Sequence, residues 1–226
     1  MTLSLFAKDY VWCVWSVIRK DKTMREMWNK KFNSEAFLYG LEANNFIKTN
    51  YQIVPKNAPI LCLGEGEGRN ALFLAKLGFD VTALDASDVG LSKVQKLAKE
   101  HHVNIHLKHL LISQWHEHDT YEAIMSTFLH LHADEQEVMF QKIIDALRIG
   151  GYFIAEFFST SQLNFTSGGP KNTDLLYRLD FLYQIFSALP CEIYKLSQER
   201  IFLKEGPGHN GEASVIRVII KKIANR

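Results

Sequence analysis

The chain has 226 residues, 47% hydrophobic and 23% charged, which suits one compact domain around a single core. Its 26 Lys and Arg nearly cancel its 25 Asp and Glu, and the basic residues form no long run. That balance lacks the phosphate footprint of a nucleic-acid binder and makes a small-molecule partner the expectation. Cys13, Cys62 and Cys191 stand far apart, with neither CxxC spacing nor a histidine cluster, so zinc and a disulfide framework are excluded and reduced thiols in the cytosol are expected.

At the N-terminus, Tyr10 to Ile18 (YVWCVWSVI) is apolar but too short to span a bilayer, which takes roughly 20 residues. No small-residue cleavage site follows it, so it reads as a packed or disordered extension, with a membrane-surface anchor as the alternative. Met24 or Met27 could also begin the working protein, because readable motifs start only at Trp28. The chain is accordingly divided into an extension, 1–27, and a domain, 28–226.

From Pro59 onward short apolar runs alternate with segments of helical period, the pattern of a parallel sheet with crossover helices. Strands are expected at Ile60–Leu63, Asp80–Leu84, Asn104–Lys108, Ala123–Ser126, Tyr152–Phe157, around Glu192–Phe202, and at Ser214–Lys221. Helices are expected over 69–77, ending at Gly78, and over 88–100, 134–147 and 173–187. No helix separates the last two strands, which should therefore pair antiparallel at one end of the sheet. Ser159–Gly169 is the most loop-like stretch.

The strongest chemical signal is Ile60-Leu61-Cys62-Leu63-Gly64-Glu65-Gly66-Glu67-Gly68, an apolar strand running into GxGxG and then a helix. Glycines there let the backbone turn tightly and approach a ligand, while the helix offers unpaired N–H groups. A dinucleotide fingerprint would want its third glycine at position 69, where Arg69 stands. Asp85 closes the second strand 21 residues after Gly64, near the spacing of about 20 at which an acidic residue meets ribose hydroxyls. A nucleoside that lacks a pyrophosphate fits this combination.

Residues 60–91 (ILCLGEGEGRNALFLAKLGFDVTALDASDVGL) closely resemble class I S-adenosylmethionine-dependent methyltransferases, in particular the branch of tellurite-resistance and thiopurine methyltransferases. The resemblance runs from about Trp28 to the C-terminus through Tyr39-Gly40, Ser126-Thr127-Phe128-Leu129-His130-Leu131, Glu156, Ser167-Gly168-Gly169-Pro170 and His209. It implies an α/β fold: a doubly wound, Rossmann-like, seven-stranded and mostly parallel sheet with an antiparallel C-terminal strand and helices on both faces. It further implies S-adenosylmethionine as cofactor, S-adenosylhomocysteine as product, and a small methyl acceptor such as a thiol, selenite, tellurite or a thiopurine.

Carried over by residue, the resemblance puts Gly64, Gly66 and Gly68 along the methionine and ribose, with Asn70 beside them, Asp85 on the ribose diol and Ala86 near the adenine. Leu110 and Leu111 would flank the base, Ser126 and Phe128 would approach the methionine, and Trp28 and Tyr39 would come from an N-terminal helix over the cofactor. Two departures stand out: the acidic residue usual at Cys62 is missing while Glu65 occupies a usually small position, and no Asp follows the third strand in His109-Leu110-Leu111-Ile112. Glu65 is therefore a further candidate contact.

On the acceptor side three residues are candidates. His130 could accept a proton or merely bond a neighbouring loop. Glu156, among aromatics, needs a partner or a ligand. His209, on a glycine-rich turn, is either a hairpin residue or near the substrate. Lys171 is a weaker candidate for an anion contact. Two other activities compete: a protein that holds S-adenosylmethionine without turnover, and a dinucleotide-dependent oxidoreductase.

Overall fold

The computed structural model describes residues 23–224; Tyr10 to Ile18 and Cys13 lie outside them. Among the described residues one seven-stranded sheet runs β3-β2-β1-β4-β5-β7-β6. Its strands are β1 Pro59–Leu63, β2 Asp80–Asp85, β3 Ile105–His109, β4 Tyr121–Thr127, β5 Leu147–Phe158, β6 Cys191–Glu205 and β7 His209–Lys222. Strands β1 to β5 pair in parallel, and β7 runs antiparallel to both of its neighbours, β5 and β6. The α/β sheet is thus the doubly wound, Rossmann-like arrangement that the sequence implies.

Both faces of the sheet are covered, and the two-residue period of β1 divides them. Ile60 and Cys62 pack with α3 (Arg69–Lys76), α4 (Asp88–Glu100) and α2 (Asn45–Asn50), while Leu61 and Leu63 pack with α5 (Ala133–Ala146) and α6 (Leu179–Ala188). Helix α3 stops where expected: Gly78 takes φ +88°, and the N–H groups of Gly78 and Phe79 close back onto Ala75 and Leu74. A further helix, α1, occupies residues 23–32, so the boundary drawn between residues 27 and 28 falls inside it. No helix among the described residues is long and apolar enough to cross a membrane.

Three expectations are corrected. The helix expected from residue 173 begins only at Leu179, because the N–H of Tyr177 donates to the Phe158 carbonyl (2.9 Å) and its carbonyl accepts from Thr160 (3.1 Å). Those bonds tie the segment to the end of β5 in place of a helical ladder. The last two strands extend well past Phe202 and start well before Ser214, meeting at the tight turn Gly206-Pro207-Gly208. Their charged and glycine-rich ends hide the strand pattern, and backbone pairing along the hairpin overrides it. Tyr39 is not on the N-terminal helix, which ends at residue 32, but in a turn closed by a hydrogen bond from Gly40 to Phe37.

Gly68 caps α3 with φ +97°, and a Cβ there would lie 2.9 Å from Val94 Cγ2 and 3.2 Å from Val94 Cα on α4. Its absent side chain therefore sets the approach of α4 to α3. Gly68→Ala is expected to lower stability by about 1–3 kcal/mol, from backbone strain and overpacking together. Urea unfolding measures it, and an unchanged midpoint would mean that α4 yields freely.

Candidate functional site

A cavity of about 330 Å³ opens over the C-terminal ends of β1, β2, β3 and β4. Chain leaving β1 and chain leaving β4 turn to opposite faces here, which is where open α/β sheets receive ligands. Gly64, Glu65 and Gly66 form its floor, and Asp85, Ala86, Leu110 and Leu111 form one side. Thr127, Phe128, His130 and His209 form the other end, and Met24, Trp28 and Phe32 of α1 cover it together with Tyr39.

The floor is held by the neighbouring strand. Gly64 and Gly66 take φ +68° and +63°, and the N–H groups of Gly64 and Glu65 donate to the Leu84 carbonyl at 2.9 and 3.1 Å. Asp85 accepts from Gly66 N–H through Oδ2 (2.8 Å) and from Ser87 N–H through Oδ1 (2.7 Å). Burial pushes its carboxyl above the usual range, with those hydrogen bonds pulling the other way. One side chain thus sits at the cavity wall and fastens the glycine loop.

Glu65 explains the missing charge at Cys62. Its Oε1 accepts the N–H groups of Asn70 (2.9 Å) and Ala71 (2.8 Å) in the first turn of α3, where the cap residue Gly68 has no side chain to offer. Burial pushes its carboxyl up to about 7, against the pull of those bonds and of Arg69. Burial and the same carboxylate also push the Cys62 thiol well up. This carboxylate comes from the loop after β1, and it also faces the cavity.

Several expected residues do not line the cavity. Ser126 donates to the Leu63 carbonyl (2.9 Å), and its neighbour Thr127 faces the cavity instead. Asn70 is engaged by Asn44 N–H (2.9 Å) and Thr127 Oγ1 (3.1 Å), and Gly68 lies under α4. Glu156 accepts from Asn44 Nδ2 (2.8 Å) and Arg217 Nε (2.7 Å), so its buried carboxylate finds partners inside the fold. Lys171 is exposed and away from the cavity.

The two histidines meet at the aromatic end. His130 stacks on Trp28 at 5.7 Å and on Phe158 at 6.3 Å between centroids. Burial pushes its imidazole down to about 3, with the Lys31 ammonium and His209 adding to that, so it is neutral and a poor base. His209 is 2% exposed and packs on Tyr39 (4.3 Å), Phe128 (4.5 Å) and Phe158 (5.1 Å). Phe128 holds φ +53°, unusual for its type, with its N–H on the Glu156 carbonyl.

Sequence reasoning missed the ties that hold the cover. Glu67 accepts from Leu38 N–H (2.8 Å) and from Lys93 Nζ (2.6 Å), and the same ammonium donates to the Ala36 carbonyl (3.0 Å). Arg69, in the place of a third glycine, donates to Glu205 at 2.9 Å with both side chains about nine-tenths buried. The charge and position of Glu67 and Arg69 were visible signals, but their partners are 26 to 136 residues away.

Comparison with known proteins agrees with this geometry. Residues 60–151 match the family model described as a methyltransferase domain. A probable S-adenosyl-L-methionine-dependent methyltransferase, TehB of Haemophilus influenzae, is 28% identical over 95 residues, 41% of this chain and 33% of that protein. The matched stretch thus spans a third of the relative's length. The crystal structure of Haemophilus influenzae TehB superposes with a TM-score of 0.66 at 20% identity, over 88% of this chain and 66% of that one. Magnesium protoporphyrin IX methyltransferase from Synechocystis PCC 6803, with bound SAH, gives 0.65 at 13% identity, over 89% and 99%.

Glu65→Gln keeps an oxygen for the two α3 N–H groups but removes the titration. Because the folded carboxyl sits above its unfolded value, wild-type stability is fully present at low pH and is lost as pH rises through about 7. The stability of the Gln variant relative to wild type should therefore rise by about 2 kcal/mol between pH 5 and 8. Parallel urea curves at the two pH values check it, and a constant difference would place Glu65 in contact with solvent.

Proposed function

We propose that this chain, whose residues 60–151 match a methyltransferase-domain model, transfers the methyl group of S-adenosylmethionine to a small thiol or chalcogen acceptor, of the tellurite, selenite or thiopurine kind. The observation that carries this is the division of one cavity into two chemistries. At one end a tight glycine loop, the Asp85 carboxylate and the apolar pair Leu110 and Leu111 suit a nucleoside. At the other, Trp28, Phe128, His130 and His209 enclose an aromatic space that suits a sulfonium and a soft nucleophile, with rings able to face the cationic methyl donor.

Transfer from a sulfonium is an in-line displacement: the nucleophile's electron pair forms the new bond to carbon, and the carbon–sulfur pair returns to the cofactor sulfur. Much of the rate can come from holding the two reactants in line and out of water. The cover formed by α1 and Tyr39 does that here, and the neutral imidazole of His130 adds no charge to repel the sulfonium. A dinucleotide is disfavoured by Arg69, whose side chain fills the place of the third glycine and is locked to Glu205.

Isothermal calorimetry with S-adenosylmethionine and with NAD separates the cofactors. Saturable binding of the first alone is expected, and binding of NAD alone would overturn the proposal. Asp85→Ala should weaken S-adenosylmethionine by about 1.5–3 kcal/mol, the scale of a hydrogen bond to a charged group; unchanged affinity in the folded variant would remove Asp85 from the ribose. Binding without formation of any methylated thiol or chalcogen product would leave a protein that only holds the cofactor.

A further inference from the structure

The turn that joins β6 to β7 carries a carboxylate and an imidazole in register, since Glu205 and His209 are paired residues at the hairpin's last rung. Glu205 Oε2 lies 3.3 Å from His209 Nδ1. The other Glu205 oxygen accepts from Asn44 Nδ2 at 3.0 Å, and Arg69 Nη2 bonds Oε2 at 2.9 Å. The carboxylate is therefore fixed from three directions. Burial raises Glu205, but the hydrogen bond from His209 and the Arg69 guanidinium outweigh it and keep the group ionised.

The imidazole is held as firmly. Its ring lies among Tyr39, Phe128 and Phe158, and a Cβ on Gly168 would come within 2.7 Å of His209 Cδ2, so the loop at Gly168 closes on that edge. Gly208, the preceding residue, is fastened by its N–H to the Leu38 carbonyl at 2.8 Å. With Nδ1 turned to Glu205, the remaining ring nitrogen is Nε2, on a residue that lines the acceptor end of the cavity. No hydrogen bond to Nε2 is formed among the described residues.

We propose that Glu205 is a positioning residue that holds His209 as the Nδ1–H tautomer, so that Nε2 takes the proton of an acceptor that enters neutral, as a thiol or selenol. The idea rests on the methyl-transfer reading of the cavity. In the step, the chalcogen–hydrogen bond breaks with its proton going to Nε2 and its electron pair going to the methyl carbon. The carbon–sulfur pair of the sulfonium goes to the cofactor sulfur, and the proton then leaves for solvent. Glu205 acts through the ring, by orientation and by stabilising the imidazolium that forms. The acceptor end supports a neutral reactant in that the Arg69 guanidinium, which lines the cavity, is paired with Glu205.

Two measurements test this. In the wild-type holoprotein, nitrogen NMR of the His209 imidazole, assigned by its loss in His209→Gln, should show a proton on Nδ1 and none on Nε2 near neutral pH. The opposite tautomer would overturn the proposal with no variant of Glu205 needed. Glu205→Gln is then compared with wild type on 2-mercaptoethanol, which enters neutral, and on 4-nitrothiophenol, which is ionised beforehand. Tenfold or greater loss is expected with the first and less than threefold with the second, and the acid limb of the first profile should move to lower pH.

That direction follows from the groups facing the ring. Burial lowers His209, Glu205 alone raises it, and Arg69 and Lys31 lower it, with the Tyr39 and His130 rings neutral beside it, so losing the carboxylate lowers it further. Equal losses on both thiols would reduce Glu205 to holding the hairpin. Calorimetry with S-adenosylmethionine on the same samples keeps the outcomes apart: no binding by wild type sinks the methyl-transfer reading, whereas binding with neither thiol methylated sinks the acceptor class.

Discussion

The hydrogen bond from Gly66 N–H to the Asp85 carboxylate is the interaction on which the rest of the site depends. It joins the loop after β1 to the end of β2 at 2.8 Å, with the Leu84 carbonyl holding the two preceding N–H groups. A loop of left-handed glycines has high conformational entropy when free, so it presents a fixed surface only if its backbone groups are bound. Once it is fixed, α3 starts at a defined point, α4 can approach through Gly68, and the cavity acquires a floor. Asp85 also lines that cavity, so one carboxylate both fastens the loop and faces the space above it.

Cys62 and Glu65 show how one electrostatic demand can be met from two places in sequence. The first turn of α3 presents N–H groups that need an acceptor. Gly68 is required at the cap for its conformation and cannot supply one. Glu65, three residues earlier, reaches the Asn70 and Ala71 N–H groups through one oxygen. Burying a carboxylate is costly, and the raised proton affinity of Glu65 is the record of that cost. The apolar side of β1 thereby keeps a small thiol at Cys62, which packs among the residues under α3.

Much of this was legible in the sequence, for identifiable reasons. The parallel strands β1, β2 and β4 are buried on both faces and read as short apolar runs between helices of clear period, and the GxGxG step with Asp85 lies where the cavity opens. The hairpin β6–β7 was legible except beside its turn, where the rungs carry Lys204, Glu205, Asn210 and Glu212, whose types say nothing of pairing. Tyr177 was read into a helix because local period cannot report a long-range bond to Phe158. Glu156 was flagged as needing a partner, and its partners Asn44 and Arg217 lie 112 and 61 residues away. Contacts of that separation leave no mark in one sequence.

His130 and His209 share one aromatic enclosure yet differ in chemistry, and the difference lies in what stands behind each ring. His130 has Trp28 and Phe158 against its faces, and burial, the Lys31 ammonium and His209 all disfavour its charged form. His209 has a buried carboxylate at Nδ1 that offsets part of the same burial. Under the proposed methyl transfer, a site that receives a cationic donor gains nothing from a second fixed positive charge, but it can use a group that becomes positive only as the proton arrives. On that reading two histidines with unequal support meet both demands: His130 leaves the space neutral, and His209 changes its charge as the proposed transfer proceeds. The hairpin turn that supplies His209 is also tied to the cover, by the Gly208 N–H on the Leu38 carbonyl, so one hydrogen bond joins the wall of the cavity to the segment that covers it.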